Sequence, residues 1–373
     1  MTSDANSLTR ALQALVEKSI RRAGGWLPFD RFMALALYAP GLGYYANSSR
    51  KFGQLPSSGS DFSTAPEMSR LFGQALAVQV ADALQATGTN EVWEFGAGSG
   101  ALAQQLLQAL GERLRRYTIV DVSASLRARQ QESLARFGRL VHWVSELPQS
   151  MQGVVVGNEV LDAMPVKLLV RRGGQWNERG VVCGSGEHDA GSPGAIFSWE
   201  DRASPLRPPV EIAGEHDYLA EIHPQAHAFV RTLADRLAQG AAFFIDYGFS
   251  EAEYYHPQRH MGTLMCHRGH MADPDPLEAI GEKDITAHVE FSGLALAAQQ
   301  AGLATLGFTT QARFLMNCGI VPMLAQASLP ERVAGQRLLA EHEMGQLFKV
   351  IAFHRGDFWD AVGFREGDRT HTL

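Results

Sequence analysis

Three glycines stand at alternate positions between an apolar run and an amphipathic segment in residues 92–107, VWEFGAGSGALAQQLL. Gly96, Gly98 and Gly100 allow the backbone to turn sharply and to approach a ligand with no side chain in the way. Such a turn after a strand can hold a dinucleotide, a nucleotide phosphate or S-adenosylmethionine, or can bind nothing at all. With Ala101 the run also fits the dinucleotide pattern G-x-G-x-x-A, so the glycines alone leave these alternatives open.

An acidic residue, Asp121, follows near the end of the next predicted strand. Its carboxylate can accept hydrogen bonds from both ribose hydroxyls of an adenosine, as in dinucleotide-binding folds. The same residue can instead cap the helix that follows in DVSAS. Rossmann dehydrogenases and class I methyltransferases share an acid here, so Asp121 does not separate the two classes.

The segment after the fourth predicted strand does separate them. GVVVGNEVLDAMPV (153–166) carries Asn158, Glu159 and Asp162 at the strand's carboxyl end, where ligands of open α/β sheets bind. A dehydrogenase should have a small, uncharged residue near its nicotinamide. A carboxamide and two carboxylates instead suit a nitrogen acceptor held beside a sulfonium carbon. Glu94, two positions before the first glycine, can pair with the ammonium of a methionine moiety. The sequence therefore favours S-adenosylmethionine.

The elements that must position these residues alternate between strands and helices. The predicted strands are 91–95, 117–122, 140–144 and 153–157, and helices over 101–115 and 124–137 follow the first two. This alternation predicts a parallel sheet with helices on both faces. Later in the chain we predict a buried strand at 240–248, a helix at 291–301 and a strand at 303–312. The predicted fold is one doubly wound α/β domain that carries additions.

Composition excludes several classes of protein. The net charge of -7 and pI of about 6.0 argue against nucleic-acid binding, because neutralising phosphates needs a clustered positive surface. No apolar run reaches the roughly 18 residues of a membrane span, and the N-terminus lacks the apolar core of a secretory signal. We therefore expect a cytoplasmic protein.

The thiols and histidines give little support for a metal. Cys183, Cys266 and Cys318 are scattered and form no C-x-x-C pair, which fits a reducing compartment. The spacing of Cys266, His267, His270 and Asp273 could hint at a metal, but no second ligand pair accompanies it. We predict no metal site.

Several motifs together resemble the MidA-type methyltransferases, the family that includes the mitochondrial complex I assembly factor that methylates an arginine. They are EFGAGSGALA (94–103), NEVLDAMPV (158–166), FIDYG (244–248) and DITAHVEFS (284–292). The family's acid at position 121 is often Glu, and here it is Asp, which is shorter but keeps the role. The resemblance implies a class I (Rossmann-like, seven-stranded) methyltransferase core with a helical N-terminal cap and an inserted substrate lobe.

This family organisation gives a division of the chain. We predict a helical N-terminal cap at 1–66 and a methyltransferase core at 67–250, with a β-hairpin and loop addition at 166–210. An inserted substrate lobe follows at 251–300, and strands and helices at 301–373 complete the core.

The site residues follow from both lines of reasoning. Glu159 and Asp162 are predicted to hold the acceptor and take its proton. The resemblance adds Glu290 and His288, the latter as a proton relay. Glu67 could be a third acid, start a helix or face the amino-acid end of the cofactor. The predicted cofactor-binding residues are Thr64, Glu67, Glu94, Gly96, Gly98, Gly100, Asp121, Val122 and Asn158.

The predicted activity is S-adenosylmethionine-dependent methyl transfer to a protein arginine. For the mitochondrial relatives the resemblance implies an arginine on a respiratory complex I subunit, and such a subunit is a candidate partner here. A small-molecule methyltransferase, an assembly factor that binds the cofactor without turnover, and an NAD(P)-dependent oxidoreductase remain as alternatives.

Overall fold

The computed structural model describes residues 2–47, 64–121, 123–184, 196–269 and 271–373. Most of residues 53–66, whose composition GQLPSSGSDFSTAP predicts a loop, lie outside these ranges. Most of the Gly/Ser-rich stretch 184–195, Val122 and His270 lie outside them as well. Within the ranges, no helix is long and apolar enough to cross a membrane.

Helices and strands alternate along much of the chain. The helices are α1 (Thr2–Arg22), α2 (Phe29–Tyr38), α3 (Ala65–Met68), α4 (Arg70–Thr87), α5 (Ala101–Leu110), α6 (Ala124–Ser133), α7 (Pro224–Arg236), α8 (Glu251–Tyr254), α9 (Phe291–Gln300), α10 (Gln311–Asn317), α11 (Ile320–Gln326) and α12 (Leu329–Leu339). The strands are β1 (Leu27–Pro28), β2 (Glu91–Phe95), β3 (Arg116–Val120), β4 (Val141–Val144), β5 (Met151–Asn158), β6 (Lys167–Arg172), β7 (Gln175–Cys183), β8 (Phe197–Ala203), β9 (Tyr218–Ile222), β10 (Leu237–Phe249), β11 (Met265–Arg268), β12 (Met271–Asp273), β13 (Asp284–Thr286), β14 (Val289–Glu290), β15 (Ala304–Thr310) and β16 (Phe348–Arg355).

Local signals explain where these elements end. The helix predicted over 101–115 stops at Leu110, because Gly111 adopts φ 53° and breaks the helical path. The strand predicted over 303–312 stops at Thr310, whose side chain caps α10 by accepting the N–H of Arg313. Both elements are shorter than predicted, because the apolar pattern alone does not show where a capping residue ends a helix or a strand.

The chain forms two compact units. The core unit comprises Lys51–Asp162, His227–Glu251 and Val289–Leu373, and the accessory unit comprises Met1–Arg50, Ala163–Ala226 and Ala252–His288. The predicted division at 66, 250 and 300 stays a prediction. In the structure α9, which that division assigns to the substrate lobe, belongs to the core unit.

The core unit is built on one mixed sheet of eight strands, in the order β15-β16-β10-β5-β2-β3-β4 with β14 paired in parallel to β10. Neighbours from β10 to β4 run parallel, whereas β16 runs antiparallel to both β10 and β15. Numbered by appearance within this sheet, β4-β3-β2-β5-β10 reads 3-2-1-4-5, the doubly wound order. The strand order therefore reverses between β2 and β5, and this switch point is where such sheets bind ligands.

Burial in the core unit follows from the apolar pattern of its elements. Every residue of β2 is buried, as expected for a parallel strand covered on both faces. α5 buries Leu102, Leu106 and Leu110 at four-residue spacing, so its apolar stripe faces the hydrophobic core. This packing fixes the start of α5, and with it the glycine turn (residues 96–100), against the end of β2.

The accessory unit contains smaller sheets. Its larger sheet has the order β1-β7-β6-β9 with β8 paired to β7, and all these pairs are antiparallel. β6 and β7 form a hairpin within the β-hairpin and loop addition predicted at 166–210. Gly173 and Gly174 have φ of 53° and 75°, as a two-residue type I′ turn requires. A second sheet has the order β12-β11-β13.

Two glycines face each other where β5 and β10 pair, and this gives a test of the core sheet. Gly240 pairs with Gly153 and has φ 138°. A β-carbon at Gly240 would overlap the carbonyl of Gly153. We expect Gly240→Ala to lower the free energy of unfolding by about 2–4 kcal/mol through overpacking and backbone strain, measured by urea denaturation.

Gly356→Ala is the matched control, because Gly356 has φ 108° but no atom lies within 4 Å of the place that a β-carbon would take there. It should cost only the strain, clearly less than Gly240→Ala. Equal losses in the two variants would contradict the close approach of β5 and β10.

Candidate active site

The glycine turn joins β2 to α5 in a backbone form that needs glycine. φ is 62° at Gly96, 52° at Gly98 and 87° at Gly100, a region that residues with side chains rarely adopt. A β-carbon at Gly96 would also lie 3.0 Å from Cγ1 of Val160. Because α5 starts at Ala101, the N–H groups of its first turn lie next to these glycines, and the N–H of Ala101 donates to Oγ of Ser99 at 3.3 Å. The strand–turn–helix context that the motif requires is therefore present.

Asp121 directly follows β3, and two donors hold its carboxylate. Oδ1 accepts the N–H of Ser123 at 2.8 Å, and Oδ2 accepts from Nε2 of Gln130 at 2.9 Å. Ser123 supplies the side-chain cap of α6 by accepting the N–H of Leu126, a role that the sequence left open for Asp121. Burial raises the pKa of Asp121. Both oxygens keep acceptor capacity, so this carboxylate can still bind two ribose hydroxyls.

Glu94 is buried in β2, two residues before the glycine turn. Its Oε2 accepts a hydrogen bond from the hydroxyl of Tyr117 at 2.6 Å. Burial raises the pKa of Glu94 to about 8. The hydrogen bond from Tyr117 opposes this increase, and the charge of Asp121 adds to it. A cation brought next to this carboxylate would lower its pKa again. The pairing of Glu94 with an ammonium stays a prediction.

Asn158 is the last residue of β5, on the other side of the switch point, and Glu159 directly follows it. Nδ2 of Asn158 donates to Oε1 of Glu159 at 2.9 Å, whereas Oδ1 of Asn158 is buried and has no hydrogen-bond partner among the described residues. Glu159 adopts φ 52°, which costs energy in a residue with a side chain and is common at functional sites. Its N–H donates to the carbonyl of Ile245 at 2.9 Å, which helps to hold this conformation.

Asp246 is a further acid of this region, outside the predicted site set. It is fully buried near the end of β10, and its Oδ2 accepts the N–H groups of Leu161 and Asp162 at 2.9 and 3.2 Å. Burial raises its pKa well above the usual range, and the charges of Asp162 and Glu159 add to the effect. Three carboxylates thus interact at the carboxyl ends of β5 and β10. The sequence signal was an acid that ends a continuous apolar strand.

Residues 64–67, at the start of α3, contact the glycine turn and the helix that follows it. Glu67 accepts a hydrogen bond from the hydroxyl of Ser99, which lies within the turn. Thr64 directly precedes α3 as its N-terminal flanking residue, and its side chain makes no capping hydrogen bond. Nε2 of Gln105 on α5 donates to the carbonyl of Pro66 at 2.8 Å. These contacts place Glu67 beside the predicted cofactor site, and its role toward a ligand stays a prediction.

The two predicted residues from DITAHVEFS take different places. Glu290 is buried and caps α9, accepting the N–H groups of Ser292 and Gly293, both at 2.8 Å. Burial raises its pKa to about 7. His288 belongs to the accessory unit, where its N–H donates to Oγ1 of Thr263 at 3.1 Å. The structure gives Glu290 a capping function that the sequence analysis did not identify, and the catalytic roles of both residues stay predictions.

The core unit therefore gathers most of the predicted residues around the carboxyl ends of β2, β3 and β5. They are Thr64, Glu67, Glu94, Gly96, Gly98, Gly100, Asp121, Asn158, Glu159 and Asp162. Glu290 belongs to the same unit but pairs with Phe249 at the end of β10, and Val122 lies outside the described residues. In the part of the chain that the structure describes, no group of three His, Cys, Asp or Glu side chains could hold a metal ion. Asp273 instead forms an ion pair with Lys283, at 2.5 Å from Oδ2 to Nζ.

A doubly wound sheet with a glycine turn and an acid that can accept from a ribose is typical of the class of adenosine-binding α/β proteins. The model of one family, described as "Putative S-adenosyl-L-methionine-dependent methyltransferase", matches residues 75–309, and the chain belongs to this family. A Burkholderia thailandensis protein solved with bound S-adenosyl-homocysteine is 49% identical, with a TM-score of 0.93 over 99% of this chain and 98% of that one.

Similar proteins also include two mitochondrial enzymes named protein arginine methyltransferase NDUFAF7. The Danio rerio protein is 29% identical over 83% of this chain and 76% of its own length. The Homo sapiens protein is 26% identical over 84% of this chain and 74% of its own length. The resemblance, the α/β methyltransferase fold and the cofactor prediction are confirmed, and the oxidoreductase alternative is wrong.

The residues present fit S-adenosylmethionine. The glycine turn offers backbone with no side chains in the way, and Asp121 offers acceptors for a ribose. Oδ1 of Asn158 is buried without a partner among the described residues, which is costly, and it can accept a hydrogen bond from an ammonium. Glu94 supplies a carboxylate on the β2 side.

The raised pKa of Glu94 gives a test of its pairing with the ammonium. With a pKa of about 8, Glu94 is mostly protonated at pH 7, and an adjacent ammonium favours the ionised form. Binding of S-adenosylhomocysteine at pH 7 should therefore release close to one proton. The release is measured by calorimetry in buffers of different ionisation enthalpy.

Glu94→Gln should abolish this proton release, whereas the exposed control Glu112→Gln should retain it. Undiminished release in Glu94→Gln would show that another group titrates and would remove Glu94 from the ammonium site.

The raised pKa of Asp246 predicts a pH-dependent stability. An acid whose pKa is higher in the folded than in the unfolded protein favours folding at low pH, and this contribution is lost as pH rises through the folded pKa. Asp246→Asn removes the titration, so its stability relative to wild type should increase from pH 5 to pH 7 in urea denaturation. A parallel decline of the two proteins would contradict the raised pKa.

Proposed function

We propose that this S-adenosylmethionine-dependent methyltransferase acts on arginine side chains of a protein. The observation that carries the proposal is the cluster of three carboxylates, Glu159, Asp162 and Asp246, at the carboxyl ends of β5 and β10. An acid cluster of this kind favours a cationic acceptor over a neutral one. The names of the NDUFAF7 relatives support the same acceptor.

A guanidinium group poses a specific chemical problem for methyl transfer. It is protonated at neutral pH and its lone pairs are delocalised, so it is a poor nucleophile. A carboxylate that accepts two of its N–H groups can orient it, localise its charge on one side and accept the proton that leaves. The bound cofactor supplies the electrophilic methyl carbon.

Glu159 is the residue best placed for this task. It directly follows β5, its left-handed backbone is held by Ile245, and its side chain is only partly buried. The hydrogen bond from Asn158 fixes Oε1 of Glu159, and because each carboxylate oxygen has two lone pairs, the group can accept from a substrate as well. Asp162 is 5% exposed and therefore acts on the acceptor mainly through its charge.

The remaining parts of the proposal concern the partner and the location. A subunit of respiratory complex I is the first candidate substrate, on the family resemblance, and we propose a cytoplasmic protein. His288 is proposed as a proton relay on the acceptor side.

The proposal predicts separable effects on binding and turnover. Glu159→Gln keeps the size of the side chain and removes its charge, so methyl transfer should fall by about 100-fold or more while S-adenosylhomocysteine affinity changes little. Asp162→Asn should also keep cofactor binding and lower turnover. Glu112→Gln, an exposed glutamate of the same unit, should behave as wild type.

The assay uses S-adenosylmethionine with a deuterated methyl group and a bacterial protein extract, and mass spectrometry locates the label. Label on arginine in wild type and its loss in Glu159→Gln is the expected result. Label on lysine or on small molecules alone would refute the arginine acceptor. Full activity of Glu159→Gln would remove this residue from the catalytic set.

A further inference from the structure

A fully buried glutamine, Gln130, lies on α6 beside the cofactor site. Most of α6 is polar, ASLRARQQES, and its buried side chains are Leu126 and Gln130, followed by the buried Leu134 directly after the helix. Gln130 thus occupies the central position of a stripe with four-residue spacing, where a core residue is expected. A buried amide is costly unless its hydrogen bonds are satisfied.

Every polar atom of the Gln130 side chain has a partner. Nε2 donates to the carbonyl of Gly98 at 3.0 Å and to Oδ2 of Asp121 at 2.9 Å. Oε1 accepts from Nε1 of Trp143 on β4 at 3.1 Å. Because Trp143 has a donor and no acceptor, it fixes the orientation of the amide with the NH₂ group toward Gly98 and Asp121.

One side chain therefore joins the two elements that meet the adenosyl ligand from different strands. Gly98 belongs to the turn after β2, and Asp121 follows β3. We propose that Gln130 is a positioning residue that sets the glycine turn and the ribose-binding carboxylate relative to each other before the cofactor arrives. The inference concerns cofactor binding alone and holds for any methyl acceptor.

The geometry explains why this would raise affinity. The Asp121 carboxylate is fixed by Ser123 on one oxygen and by Gln130 on the other, so its remaining lone pairs have a defined direction. Fixing receptor groups in advance lowers the entropy lost on binding. A second contact, from Oγ of Ser133 to the carbonyl of Ser99 at 3.3 Å, also ties α6 to the turn. That contact does not reach Asp121, so it cannot replace Gln130.

The experiment compares Gln130→Met with Gln131→Met by calorimetric titration of S-adenosylhomocysteine. Methionine keeps the length of the side chain and removes both donors. Loss of a hydrogen bond to a charged group, together with the contact to Gly98, should raise the Kd by about 10- to 100-fold. Gln131 is the exposed neighbour on α6, and its variant should bind as wild type.

A double-mutant cycle separates positioning from a general loss of packing. If Gln130 acts through Asp121, Gln130→Met in an Asp121→Asn background should change the Kd by less than about 3-fold, because the group to be positioned is already altered. The same fold-loss in both backgrounds, or wild-type affinity of Gln130→Met, would overturn the proposal.

Trp143→Phe provides a milder test that also serves if Gln130→Met fails to fold. It retains an aromatic ring and removes the donor that orients the amide. We expect affinity for S-adenosylhomocysteine to fall by about 3-fold or more in Trp143→Phe. The double variant Trp143→Phe with Asp121→Asn should bind no more weakly than Asp121→Asn alone. Unchanged affinity in a folded Trp143→Phe would contradict the orienting role.

Discussion

The reversal of strand order between β2 and β5 is the constraint on which the rest of the site depends. The chain leaves these neighbouring strands in different directions, which opens a crevice at their carboxyl ends. Each segment that leaves has an unusual backbone: three glycines with positive φ follow β2, and Glu159 with positive φ follows β5. Backbone strain of this kind persists only where the surrounding structure holds it. Here Gln130 holds the glycine turn, and Ile245 and Asp246 hold the segment after β5.

The same edge of the sheet concentrates buried acids. Burial raises the pKa values of Glu94, Asp121 and Asp246, which shows that their charged forms are destabilised in the protein alone. A ligand that carries positive charge would reverse this effect, and S-adenosylmethionine carries a sulfonium and an ammonium. A dinucleotide would instead bring two negatively charged phosphates to these acids. The electrostatics of the core unit thus agree with the family to which the chain belongs.

The sequence predicted the parts of the site that depend on local pattern. Apolar runs located β2 and β5, and the alternate glycines located the turn, because strand burial and positive φ each leave a direct mark on residue type. The position of Asp121 after a strand was enough to suggest ribose binding. The family motifs extended this prediction to the fold and the cofactor, and both are confirmed.

Other features depend on which elements meet in space, and sequence pattern could not supply them. Gln130 reads as an ordinary polar residue of a polar helix until its contacts with Gly98, Asp121 and Trp143 are known. The sequence predicts that Glu290 lies on the acceptor side, and only the structure shows that both its carboxylate oxygens cap α9. The positive φ of Glu159 could not be predicted from its residue type, because glutamate rarely adopts this conformation.

The central claim is that the crevice between β2 and β5 holds the cofactor with its amino-acid end toward Asn158. A crystal structure of this chain with S-adenosylhomocysteine tests it most directly. The account predicts that the ribose hydroxyls bind Asp121 and that the ammonium donates to Oδ1 of Asn158 or to Glu94. A ligand bound elsewhere, or one whose ammonium contacts neither residue, would contradict the account.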